Sequence, residues 1–293
     1  MQGNLIIIWD YDAAIGQVNA TYPYNFNEER LFEEIEHVET ILKFGQECEI
    51  RMTFACLGFA AEPGQFPYHV PDQIRKIHSL GHEIASHSWK HEWFPYLQRE
   101  QILRSLARSK FSLETCIGQS GAVQGFVPPF SRPMSWYRKG AISLGDRVFG
   151  RWYPGADLGS LIKIVRQTGY AWCRVAYRPL WRRLFPEKGL NDSWEKEQGV
   201  ACVPHHYAGF DETALALVKR AIEEEKTVVI SGHPSGLGRN GNESLECVRS
   251  FLHTIARDQE KGILKISTVS RYVELFDESI NPAATGRVVS TSC

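Results

Sequence analysis

What this 293-residue chain has little of excludes several kinds of protein. No stretch approaches the roughly 18 consecutive apolar residues that a membrane-spanning helix needs. Charge of either sign is not in surplus: 33 Lys and Arg against 34 Asp and Glu leave a formal net charge of −1. A dedicated nucleic-acid binder rests on excess basic side chains, so the balance argues against that class while leaving room for local basic clusters. The seven cysteines are scattered at positions 48, 56, 116, 173, 202, 247 and 293, and no Cys-x-x-Cys pair exists. An odd, dispersed set reads as thiols kept reduced inside a cell, not as a disulfide framework. The start, Met1-Gln2-Gly3-Asn4, has no basic residue, and only Leu5 to Trp9 follow before Asp10. That is too short for an export signal and reads as a buried strand. A cytoplasmic protein is expected. Internal repeats and low-complexity linkers are also lacking. A content of 43% hydrophobic and 23% charged residues excludes a disordered chain.

What the sequence does contain is alternation. Leu5 to Trp9 form an apolar run suited to a strand buried on both faces. A polar loop is expected over 11–27, then a helix from Glu28 with Leu31, Ile35, Val38, Ile41 and Leu42 on one stripe and Gly45 as its stop. Further strands are expected over 51–57, 82–86, 122–127, 146–150, 171–175, 200–203, 227–231 and 263–266. Helices are expected over 72–80, 99–117, 212–225, 245–257 and 270–276. Apolar strands alternating with helices mean a mainly parallel sheet. The expected fold class is therefore α/β, a distorted (β/α)7-type barrel. One domain over 1–280 and a small polar, frayed tail over 281–293 are expected. The segment 177–194 reads as an inserted loop.

A barrel puts its chemistry on the loops at the C-terminal ends of its strands. Three polar clusters fall there: Asp10-Tyr11-Asp12, then His87-Ser88-Trp89-Lys90-His91, then Ser231-Gly232-His233-Pro234-Ser235-Gly236. If the segment turns as a helix, His-x-x-x-His puts two imidazoles on one face, and a carboxylate from the first strand would complete a three-donor, open-sided metal site. Of Asp10 and Asp12, only one need bind the metal; the other would stand near enough to take a proton from metal-bound water. His233, in a Gly-rich strand end, suits protonation of a leaving group. His205-His206 is a further candidate, ranked lower because its place relative to the others is not evident.

At these residues the chain resembles the polysaccharide deacetylase family, the NodB-type carbohydrate esterases of family 4. Gly81-His82-Glu83-Ile84-Ala85-Ser86-His87-Ser88-Trp89-Lys90-His91 matches the family's second motif, Asp10-Tyr11-Asp12 its first and Ile230-Ser231-Gly232-His233 its fifth. The resemblance implies Asp10 as catalytic base, His233 as general acid, and Asp12, His87 and His91 as ligands of a divalent ion. Zinc comes first, with cobalt, nickel or iron also suited to these donors. It also implies Trp89, Pro129, Phe130, Arg132 and Trp172 as substrate-binding residues. The third motif departs from the pattern: Val127 stands where an arginine orients the catalytic Asp, so that either Arg132 reaches in from the following loop or nothing replaces it, and Phe130 stands in place of a tyrosine.

The implied reaction is hydrolysis of an N-acyl group, N-acetyl first, from an amino sugar in a polysaccharide, oligosaccharide or precursor. Hydrolysis of another C–N bond, as in cyclic ureides, and a glycan-binding pseudoenzyme are the alternatives. A two-carboxylate glycosidase comes last, because it has no use for His-x-x-x-His. Trp9, Tyr11, Trp89, Trp93, Phe94, Phe130, Trp136, Trp152 and Tyr153 are candidates for stacking on sugar, with about half expected in the core. Arg174, Arg178, Arg182 and Arg183 read as a basic loop, either solvated or facing an anionic substrate.

Overall fold

The computed structural model describes residues 2–20, 27–94, 97–130, 139–142, 152–154, 158–175, 190 and 194–280. In chain order its strands are β1 (Gly3–Tyr11), β2 (Thr53–Cys56), β3 (Glu83–Ser86), β4 (Gly125–Phe126), β5 (Lys139–Ile142), β6 (Trp152–Pro154), β7 (Trp172–Arg174), β8 (Glu195–Glu197), β9 (Val200–Val203), β10 (Tyr207–Ala208), β11 (Thr227–Gly232) and β12 (Leu264–Ser267). The helices are α1 (Ala13–Ala20), α2 (Arg30–Glu47), α3 (Pro71–Ser79), α4 (Arg99–Ile117), α5 (Leu158–Gln167), α6 (Glu212–Glu223), α7 (Leu245–Glu260) and α8 (Val269–Ile280).

The main sheet runs β10-β11-β1-β2-β3-β4-β7-β9-β8, with β12 added to the first half of β1. Its pairs are parallel except β8 with β9. Beyond β9 the chain turns back on the sheet: His206 N–H donates to the Val229 carbonyl at 3.1 Å, and Tyr207 pairs with Ile230. The sheet therefore curls into the barrel-like α/β architecture that the alternation predicts.

The period of two along each strand decides what faces where. On β1, Leu5, Ile7, Trp9 and Tyr11 face the helices, while Ile6 and Ile8 join Ala55, Ala85, Val127, Trp172, Val203 and Val229 inside the curl. All of these are buried, and each buried Ile or Val adds about 1.5–3 kcal/mol of hydrophobic stabilisation. At the N-terminal end of the curl, Glu83 ties several elements together. It accepts from Thr53 Oγ1 (2.7 Å), Ser270 N (3.1 Å) and Trp172 Nε1 (3.3 Å). Gly125 makes room for the neighbouring Trp172: a Cβ there would fall 1.8 Å from the indole.

Several expectations are corrected. The loop expected over 11–27 contains α1, whose small residues Ala13, Ala14 and Gly16 pack where bulk would not fit; a Cβ on Gly16 would lie 2.8 Å from Asp12 Cβ. Gly45 does not stop α2, which runs to Glu47; buried against Met52 and His82, it serves close packing instead. The strand expected over 122–127 is only two residues long. The strand expected over 146–150 and the tail after 280 lie outside the described residues. Among the described residues, no helix is long and apolar enough to cross a membrane.

Candidate active site at the mouth of the curled sheet

Continuing the inward parity of β1 past Ile6 and Ile8 gives Asp10 and then Asp12, so an Asp-x-Asp spacing puts both carboxylates on the inner face. On β3 the same rule runs from Ala85 to His87, and on β7 from Trp172 to Arg174. The three clusters expected at strand ends do converge.

Asp12, His87 and His91 are buried, and their donor atoms lie within 4.8 Å of one another. Asp12 Oδ1 is 3.4 Å from His87 Nε2 and 3.3 Å from His91 Nε2, and it has no hydrogen-bond partner. Metal–donor bonds of about 2.0–2.1 Å at a tetrahedral ion put donors about 3.3 Å apart. Burial, set partly against the Asp12 charge, brings the His91 imidazole down to about 4, so it is neutral and able to ligate. His87 Nδ1 lies 2.7 Å from the Val127 carbonyl, which leaves Nε2 free to act as donor to a metal. Both the spacing and the protonation state therefore fit a divalent ion. Four residues around the cluster have left-handed backbone without being glycine: Ala13 (φ 50°), Ser88 (φ 73°), His91 (φ 59°) and Phe130 (φ 55°). Ser88 Oγ stabilises that turn by accepting from His91 N at 3.0 Å.

Beside this cluster Asp10 is gripped by an arginine: Arg174 Nη1 donates to Oδ1 at 2.8 Å and Nη2 to Oδ2 at 2.6 Å. Both residues are only 2% exposed. Burial alone would raise the Asp10 pKa, but Arg174, helped by His87 and His233, holds it well below the usual carboxylate range. Arg174 thus orients Asp10, a part for which Arg132 was one candidate; Arg132 lies outside the described residues. The reading of Arg174 as part of a basic loop is corrected: it ends β7 and points inward. Arg178, Arg182 and Arg183 are outside the described residues.

His233 follows β11, with Nε2 3.9 Å from Asp10 Oδ2 and Nδ1 3.2 Å from Glu243 Oε1. Glu243 comes from the following loop, which Asn242 anchors by donating to the Ala208 carbonyl at 2.8 Å. Gly236 is required there, since a Cβ would lie 2.4 Å from Glu243 Oε2. Burial would lower the His233 pKa, but the Glu243 hydrogen bond and the Asp10 charge raise it to about 10. The stabilisation from this pair is full below the ordinary 6.5 and fades as pH rises through about 10. Glu243→Gln is expected to bring the His233 titration midpoint down toward its ordinary value, read by NMR of the imidazole. An unmoved midpoint would show that Glu243 has no hold on the ring.

Glu34, from α2, is fully buried behind Asp12; Gln17 Nε2 donates to it at 2.8 Å, and burial together with the Asp12 charge raises its pKa to about 8. Sequence reasoning missed Glu34 and Glu243, and the partner of Arg174. Only the inward parity of Arg174 was available as a signal.

The implied substrate residues fare unevenly. Trp172 is fully buried and its indole N–H is taken by Ser270 (2.9 Å) and Glu83, at the end of the curl away from the cluster; it is a core residue. Pro129 is buried. Phe130 is half-buried and meets His91 edge-on at 4.4 Å. Trp89 turns toward α4, with the Arg108 guanidinium 3.6 Å and Lys90 Nζ 4.4 Å from its ring centroid and its N–H on Glu62. Trp9, Tyr11 and Phe94 belong to the core. Trp136 lies outside the described residues, and the side chains of Trp152 and Tyr153 do as well.

Fold and site together define a class: a curled parallel α/β sheet with a polar, acid- and imidazole-rich mouth. The polysaccharide deacetylase family model matches residues 32–149, a span that holds His87 and His91 but not Asp10, Asp12 or His233. A protein of Mycobacterium smegmatis assigned to the polysaccharide deacetylases has a similar structure. It is 16% identical with a TM-score of 0.63, over 94% of this chain and 91% of that one. The PuuE allantoinase structure is 14% identical with a TM-score of 0.62, over 95% of this chain and 91% of that one. At such identity both show the fold alone. No curated protein sequence matches. The resemblance read from the motifs is borne out as far as the match reaches: residues 32–149 fit the polysaccharide deacetylase family, and the fold is one that such deacetylases adopt.

Proposed function

We propose that this protein is a metal-dependent deacetylase that removes an N-acetyl group from an amino sugar. The observation carrying this reading is the convergence of the Asp12–His87–His91 donors with an arginine-held Asp10 and a glutamate-held His233. Asp12, His87 and His91 would hold a divalent ion, zinc first. When bound, such an ion supplies polarisation of the acyl carbonyl and brings the pKa of water toward ~7. Asp10, ionised and fixed by Arg174, takes a proton from the attacking water. His233 Nε2 gives a proton to the sugar nitrogen as the C–N bond breaks, and acetate and a free amino sugar leave. Arg174 does not touch the substrate; it holds the base.

The six described cysteines, Cys48, Cys56, Cys116, Cys173, Cys202 and Cys247, are all free thiols, which supports placing the protein in the cytoplasm. There the substrate class is a soluble glycan precursor. We also take 1–280 as one deacetylase domain.

Acetate release from N-acetyl amino sugars and their oligomers, measured beside metal content, tests the reading. Release of product from cyclic ureides with none from any N-acetyl sugar would overturn it in favour of the other C–N hydrolase. Chelation is expected to abolish release and to lower Tm, and added zinc to restore both, because a ligand at 1,000 times its Kd stabilises by about 4 kcal/mol. His91→Ala is expected to remove the zinc-dependent rise in Tm. A rise of full size in that variant would place the ion elsewhere.

A further inference from the structure

His205 is a polar residue of the mouth that the reaction above leaves unused. It follows β9 with the inward parity of Ala201 and Val203. Its Nε2 lies 2.8 Å from Ser231 Oγ, and Ser231 shares the inward parity of Val229 on β11. The ring therefore sits on the inner wall between Arg174 and His233, since β7, β9, β10 and β11 are neighbours in the sheet. The residue is half-buried, and its Nδ1 makes no hydrogen bond among the described residues. Burial, and then the nearby Arg174 charge, bring the imidazole down to about 3, so the ring is neutral. With one nitrogen fixed on Ser231, the other offers a single donor or acceptor of defined direction.

The geometry of the reaction says what comes there. The acyl carbonyl must lie toward Asp12, His87 and His91, on the β1 and β3 side. The departing nitrogen must lie toward His233, on the β11 side. That nitrogen carries the sugar ring, so the ring extends over the wall formed by β11 and the end of β9. We infer that His205 is a further substrate-contacting residue, its Nδ1 meeting a ring hydroxyl of the amino sugar beside the scissile C–N bond. This assignment rests on the deacetylase reading.

Two variants separate contact from scaffolding. The terminal amide of Gln reaches the place of Nε2 and can keep Ser231, but leaves the place of Nδ1 empty. The shorter Asn puts its amide near Nδ1 and gives up Ser231. His205→Gln is expected to raise KM for an N-acetyl amino sugar about tenfold with kcat within about threefold; His205→Asn is expected to recover most of that rise. Both should act like wild type on an N-acetylated aryl amine, which has no sugar hydroxyl. Ser231→Ala, which frees the ring without removing it, is expected to raise KM by a smaller factor. Active wild type with unchanged KM in His205→Gln, or equal losses on the ring-free amide, would overturn the assignment alone. Wild type inert toward every N-acetyl amino sugar would overturn the deacetylase reading and the assignment with it.

Discussion

Asp10→Asn is expected to lower acetate release by about 10²–10⁴-fold, the range that a positioned general base contributes. The substitution keeps shape and removes basicity. Asp12, His87 and His91 do not depend on Asp10 for their spacing, so the zinc-dependent rise in Tm should survive. The loss should fall on kcat with KM little changed, because the proton moves only in the transition state. Full activity in this variant would sink the mechanism. An amide cannot accept both guanidinium hydrogen bonds and leaves the buried Arg174 without its countercharge, so a clear fall in Tm should accompany the loss.

Arg174→Met is expected to cost about 3–5 kcal/mol of stability, the range for breaking one partner of a buried ion pair. It leaves a carboxylate that is 2% exposed without its countercharge. The pKa of Asp10 should then rise, because burial would no longer be outweighed. With Arg174 present the Asp10 carboxyl is depressed, so the stabilisation from the pair is full well above the ordinary 3.8 and is lost as pH falls below it. In Arg174→Met the acid side of the pH–rate profile should move to higher pH. Adding Asp10→Asn to Arg174→Met removes the stranded charge and should return much of the lost Tm, a coupling that a double-mutant cycle reads directly. Additive losses would mean that the two residues stand independently. Arg174→Lys should rescue only in part, since an ammonium cannot make the paired fork.

The sequence shows the donors better than their supports. Asp10, Asp12, His87, His91 and His233 are legible because each ends a short apolar strand, where a polar side chain has no business in the core. Arg174 misleads because it stands beside Arg178, Arg182 and Arg183 in a segment that looks basic and irregular. Its partner is 164 residues away, and only the curl of the sheet brings them together. Glu243 is hidden for a similar reason: its loop is polar throughout, and only Asn242 and Gly236 bring it to His233. Trp172 misleads in the opposite way. A tryptophan near a motif invites a role in binding sugar, yet the gap left by Gly125 claims it for the core. The helix α1 escapes notice because its buried residues are small and its apolar stripe is weak.

The left-handed turns at Ala13, Ser88, His91 and Phe130 carry a consequence for engineering. Each non-glycine residue held in such a conformation costs on the order of 1–3 kcal/mol. Replacing Ala13 or Phe130 with glycine would relax the chain and raise its thermal tolerance, whereas at His91 it would also remove a donor and at Ser88 the hydroxyl that accepts from His91 N. The same relaxation would let the donor loops wander from the separation at which they can grip an ion. Selection for a hardier variant should therefore spare these positions when catalysis is also demanded, and should drift through them when it is not.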